Sequence, residues 1–282
     1  MIKRVFLLAA MLSLFFFRTS ADEGMWLLDA ISKLPIGEMK KAGLELTSEQ
    51  IYSNTNPSLK DAIVLLGGGT ASFVSAEGLI VTNHHVAFGG IQALSSVQDD
   101  YLKNGFLAAT RDKELSTSYT AEIVQTMTDV TTEVFSAVND TMSEDERERA
   151  IRSKRKEIED KTQDSTKLAC RVSELYGGVK YYLFTSLQLQ DVRLVYAPPQ
   201  AIGNFGGEVD NWMWPRHTGD FSFMRVYTGP DGKAAKYSTT NIPYKPKKFL
   251  PISAQGVPEG SFAMIMGFPG RTFRYREAAA AQ

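Results

Sequence analysis

The stretch Ile63-Val64-Leu65-Leu66-Gly67-Gly68-Gly69-Thr70-Ala71-Ser72-Phe73-Val74-Ser75-Ala76-Glu77-Gly78-Leu79-Ile80-Val81-Thr82 decides how the chain is read. Three short runs rich in aliphatic and β-branched side chains are separated by a triple glycine and by an Ala-Glu-Gly turn. Glycine admits the backbone angles of tight reversals, and branched side chains suit a pleated surface, so the runs read as antiparallel strands. Runs of the same kind recur at 181–184, at 192–196 before Pro198-Pro199, and at 221–227 before the turn Gly229-Pro230-Asp231-Gly232. Short strands divided by such turns predict a barrel or a sandwich.

The flanking segments read differently. Residues 141–163 are densely charged, with Ser143 and Glu146 spaced as a capping box and only Ala150, Ile151 and Ile158 for an apolar stripe, which predicts a solvated surface helix. A shorter helix is expected within 44–51. At the front, Lys3 and Arg4 precede an apolar run over 5–17, and Thr19, Ser20 and Ala21 follow it. That order is the order of a signal peptide, read as 1–21, with an uncleaved anchor as the alternative, and the run is shorter than the roughly 20 residues of a membrane span. A secreted or periplasmic chain with no stable span after cleavage is therefore expected.

Composition narrows the function. The 282 residues carry 31 Lys and Arg against 32 Asp and Glu, a formal net charge of -1, so no basic field points to nucleic acid. Cys170 is the single cysteine, which excludes an internal disulfide and reads as a spectator. All three histidines fall in Thr82-Asn83-His84-His85-Val86 and Trp214-Pro215-Arg216-His217-Thr218-Gly219-Asp220. A His after one strand and an Asp before another can supply a general base and the carboxylate that fixes its tautomer. A metal site on His84, His85 and His217, or plain packing, are the alternatives. Neighbouring histidines on a strand would face opposite ways, which weakens the metal reading. The segment 203–214 holds three glycines and two tryptophans but lacks a phosphate-binding spacing; its Asn and Trp side chains suit an amine pocket with an aromatic wall. No metal and no cofactor are expected.

Taken together, Gly67-Gly68-Gly69-Thr70-Ala71-Ser72-Phe73-Val74-Ser75, Thr82-Asn83-His84-His85 and the run from Asp210-Asn211-Trp212-Met213-Trp214 through His217-Thr218-Gly219-Asp220-Phe221-Ser222 resemble the bacterial dipeptidyl peptidase 7 and dipeptidyl peptidase 11 family. The resemblance covers the N-terminal half of that family, from about residue 22 onward. It implies a mostly β fold, a chymotrypsin-like double β-barrel with some helix. Of this, 22–270 would hold the first barrel and the start of the second at 262–266, and 271–282 would begin the connection to a helical domain. It implies a serine-type enzyme that releases dipeptides from free peptide N-termini, with His85 as general base, Asp220 orienting it, and Asn211 and Trp212 holding the substrate amine. His84 and His217 take no catalytic role. The nucleophilic serine would lie beyond this sequence, and no motif for it is present, so the isolated chain is not expected to be active; a non-catalytic peptide-binding remnant or a half-enzyme needing a C-terminal partner is the alternative. Peptides are the expected partners, and the full-length form is a candidate homodimer. Thr70 and Val86 stand where many relatives carry cysteine, which implies a subgroup without that bridge.

Overall fold

A computed structural model describes residues 26–28, 36–207, 209 and 213–270. The signal-peptide reading of 1–21 and the connection read at 271–282 lie outside the described residues. In chain order the elements are α1 (Ile36–Lys41), α2 (Ser48–Ile51), β1 (Ile63–Leu66), β2 (Gly69–Phe73), β3 (Leu79–Thr82), α3 (His84–Leu94), α4 (Tyr101–Asn104), β4 (Phe106–Leu107), β5 (Leu115–Ser116), β6 (Ala121–Asp129), α5 (Thr131–Phe135), α6 (Glu144–Thr166), β7 (Ala169–Leu175), β8 (Lys180–Leu189), β9 (Asp191–Ala197), α7 (Gln200–Gly203), β10 (Ser222–Thr228) and β11 (Ile242–Pro243). The strands form one 11-stranded sheet along the path β4-β9-β10-β3-β2-β1-β6-β8-β7, with β5 also on β9 and β11 also on β10.

The triple glycine does what its composition suggests. Leu66 pairs with Gly69, and between them Gly67 and Gly68 adopt φ of 56° and 89°, the geometry of a two-residue hairpin matched to strand twist. Alternate residues of the hairpin and its neighbours then face one side. Val64, Leu66, Phe73, Ile80, Met224 and Val226 are buried there with Ala87 and Ile91 of α3, whose i, i+4 spacing puts both on one helix face. A second cluster forms where α6, capped by the expected Ser143–Glu146 box, lays Ile158 over Val134, Val172, Tyr181 and Leu183.

Buried charges tie β9 to β10. Arg193 donates to Asp191 through Nε at 2.9 Å and through a terminal nitrogen at 2.6 Å, and its guanidinium lies 3.8 Å from the centre of the Tyr227 ring. Glu114 accepts from Arg225 Nε at 2.9 Å and from the Tyr227 hydroxyl at 2.6 Å. Burial, reinforced by that carboxylate, pushes the Tyr227 hydroxyl far above its ordinary range, so it stays a donor.

The architecture corrects the expected mostly β double barrel. Helices and strands contribute in nearly equal measure, and the sheet is open, because its end strands β4 and β7 pair with β9 and β8 and not with each other. Propensity does not reveal α3, because it contains Val86, Phe88, Gly89 and Gly90, all weak helix formers. The run at 262–266 is not a strand. Phe262 and Met266 instead pack against the Leu44 and Ile51 cluster, while Ile265 stays fully exposed.

Ile80 is fully buried in the main core, so Ile80→Ala should cost about 2–5 kcal/mol in urea unfolding, while Val97→Ala, at an exposed position, should change stability by less than about 0.5 kcal/mol. Equal effects at the two positions would contradict this placement of the core.

Candidate functional site

Thr82, the last residue of β3, pairs in register with Ser222, the first of β10. The chain leaving β3 and the chain entering β10 therefore meet at one end of the sheet. Asn83 follows Thr82 in an extended conformation and starts α3, making His84 and His85 the first two helical residues. Asp220 lies two residues before β10.

Asp220 gathers donors from this junction. Its Oδ1 accepts the backbone N–H of His85 at 3.1 Å, and its Oδ2 lies 2.8 Å from His85 Nδ1. Asn83 makes no capping bond to its own helix; its Nδ2 donates to Asp220 Oδ2 at 3.1 Å and to the Asp220 carbonyl at 3.3 Å. The carboxylate thus caps α3 from another segment of the chain, where the unpaired N–H groups of the first turn favour an anion. Burial pushes the Asp220 carboxyl upward, but the His85 backbone and ring together with the Asn83 amide outweigh it and hold the group below the ordinary 3.8.

The two histidines diverge. His85 is 72% exposed against 17% for Asp220, so one edge of the ring meets the carboxylate and the other faces solvent. With Nδ1 donating to the carboxylate, the neutral ring carries its free lone pair on Nε2, the state required of a base that takes a proton from an approaching hydroxyl. His84 is 1% exposed; burial lowers its affinity for a proton despite the pull of Asp220, and Nδ1 lies 3.3 Å from Ser222 Oγ. His217 sits edge-on to Phe205, with ring centres 6.4 Å apart.

The structure thus brings together the two residues singled out as base and acid. Asn211 and Trp212 lie outside the described residues. Among the described residues no group of three or more His, Cys, Asp and Glu is placed to hold a metal ion, and no helix is long and apolar enough to cross a membrane. Asn83 was given no role from sequence; an asparagine between an apolar run and a histidine pair is a helix-start signal that would have marked it. Val86 packs against Gly69, the neighbour of Thr70.

The chain belongs to the peptidase S46 family, whose model matches residues 21–282. It is 47% identical over 258 residues to a dipeptidyl-peptidase 7 of Capnocytophaga gingivalis, covering 90% of this chain and 36% of that protein. An Asp/Glu-specific dipeptidyl-peptidase of Porphyromonas endodontalis is 44% identical, again over 90% of this chain and 36% of the relative. The crystal structure of Porphyromonas endodontalis DPP11 in complex with substrate superposes with a TM-score of 0.83 at 42% identity, covering 92% of this chain and 39% of that one. The chain therefore spans little more than a third of the length of these relatives.

A carboxyl lowered in the folded state stabilises it above the unfolded value of 3.8, and that contribution disappears as pH falls through the lowered native value. The stability gap between the native chain and Asp220→Asn should therefore be larger at about pH 5 than at about pH 2.5, measured by urea unfolding. A gap that does not narrow would show that the carboxylate is not held in this way.

Proposed function

We propose that this chain is the N-terminal part of a serine-type dipeptidyl peptidase, exported to the periplasm or beyond, that releases dipeptides from free peptide N-termini. The observation that supports it most is the 2.8 Å contact between His85 Nδ1 and Asp220 Oδ2, made by residues 135 apart in sequence. His85 takes the proton of the attacking hydroxyl on Nε2, and Asp220 holds the ring in that tautomer and stabilises the imidazolium as it forms. The same ring returns the proton to the departing amine. Asn211 and Trp212 receive the substrate's α-ammonium, the Asn through its amide oxygen and the Trp through its ring face, which sets the register from the N-terminus. The serine belongs to the part of the relatives that this chain does not span.

The relatives include a dipeptidyl-peptidase 7 and an Asp/Glu-specific enzyme at similar identity, so the proposal concerns the reaction and not the side chain preferred next to the cleaved bond.

The test is hydrolysis of dipeptidyl fluorogenic substrates by the protein as expressed from its full coding sequence. Free N-termini should be cut and N-acetylated ones spared. His85→Ala should lower kcat by about 10⁴-fold or more, Asp220→Asn by a comparable factor, and Asn211→Ala should act mainly on KM. Full activity in His85→Ala, or equal cleavage of acetylated substrates, would sink the proposal.

A further inference from the structure

The segment between α7 and β10 closes on itself. Ile202 O accepts the Gly219 N–H at 2.9 Å, and Phe205 O accepts the Thr218 hydroxyl at 2.9 Å, so its two ends lie together as in an Ω-loop. His84 is wedged beneath this neck. On one side is Gly203, the last residue of α7, where an added Cβ would lie 2.6 Å from His84 Cγ and Cδ2, so backbone and ring meet with no space for a side chain. On the other side is the hydroxyl of Ser222, the first residue of β10, 3.3 Å from His84 Nδ1. Phe88, one helical turn further on, meets the ring edge-on with centres 6.4 Å apart.

A purely space-filling role would be served by leucine. His84 instead buries a polar ring with one long hydrogen bond, and its Nε2 has no partner among the described residues. An unpaired buried nitrogen is costly and calls for an explanation. The ring's position offers one: it touches the end of α7 and the start of β10, and it is next in sequence to the residue that bonds to Asp220.

We propose that His84 is a positioning residue that wedges between the last residue of α7, Gly203, and the first residue of β10, Ser222, so that the Asp220 carboxylate just before β10 meets His85. The inference rests on the proposed role of that pair. Its consequence is that disturbing the ring from the Gly203 side or from the Ser222 side disturbs the pair.

The experiment follows the low-field Nδ1–H resonance of His85 by NMR at low temperature in the chain as given, alongside urea unfolding. Asp220→Asn should abolish the resonance and so defines the reading of the pair; its persistence there would overturn that reading and the inference with it. His84→Ala should also abolish it, whereas His84→Asn, which places an amide near the Nδ1 position, should restore it. Gly203→Ala pushes on the same ring from the end of α7 and should weaken the resonance in the native background, while its cost in urea unfolding should shrink when combined with His84→Ala. The inference alone fails if Asp220→Asn abolishes the signal while His84→Asn and Gly203→Ala lower stability and leave it unchanged, or if the unfolding costs of Gly203→Ala and His84→Ala simply add. Because His84→Asn and Gly203→Ala are independent of His84→Ala, poor folding of the alanine variant leaves the test intact.

Discussion

One carboxylate organises the end of the sheet where the chemistry is proposed. Asp220 accepts from the His85 backbone, the His85 ring and the Asn83 amide, so a single group starts a helix, fixes an imidazole and joins two distant segments. These tasks reinforce one another. A helix start needs an acceptor for its first N–H groups, and placing that acceptor on another segment makes the helix direction, and with it the His85 ring, depend on the strand that Asp220 leads into.

That strand is well held. β10 lies between β3 and β9, and its Met224 and Val226 are buried in the main core. Its Arg225 and Tyr227 are held by Glu114, and Tyr227 is covered by the Arg193 guanidinium, which is itself paired with Asp191. Buried ion pairs add little net stability, since desolvation offsets attraction, but removing one partner leaves an uncompensated charge. Such a network penalises any slip of β9 on β10 more than it rewards the correct pairing. A one-residue slip would also reverse the faces of β10 and carry Asp220 away from α3.

How far the sequence could be read depended on whether local signals agreed with tertiary ones. The Gly67-Gly68 hairpin and the Ser143–Glu146 cap follow from short-range chemistry, and both stand in the structure. α3 does not follow from it. Its Gly90 disfavours a helix, yet it leaves the space that the Tyr119 ring occupies, and the Tyr119 hydroxyl donates to the Val86 carbonyl at 2.7 Å. That contact comes from 33 residues away, beyond the reach of any local pattern. The open sheet was likewise illegible, because strand runs show that strands exist but not whether the first and last of them meet. The His85 and Asp220 assignments came from the resemblance and from residue chemistry; spacing alone left a metal site and simple packing open.

The adjacency of His84 and His85 gains its meaning from the helix start. On a strand, neighbours face opposite sides of a sheet; at the first turn of a helix they are about 100° apart, so one enters the floor of the site while the other stays at its rim. His84 takes the first place and His85 the second, and the difference in exposure between them is the result. The exposed side of His85 then bears on function. An electrostatic contact open to water is strongly screened, and acid–base chemistry strengthens when water is excluded. In the proposed reading, the described residues orient the base and leave Nε2 open on the side from which a hydroxyl must arrive. The surface that brings that hydroxyl must also cover His85, so that supplying the nucleophile and drying the pair become one event.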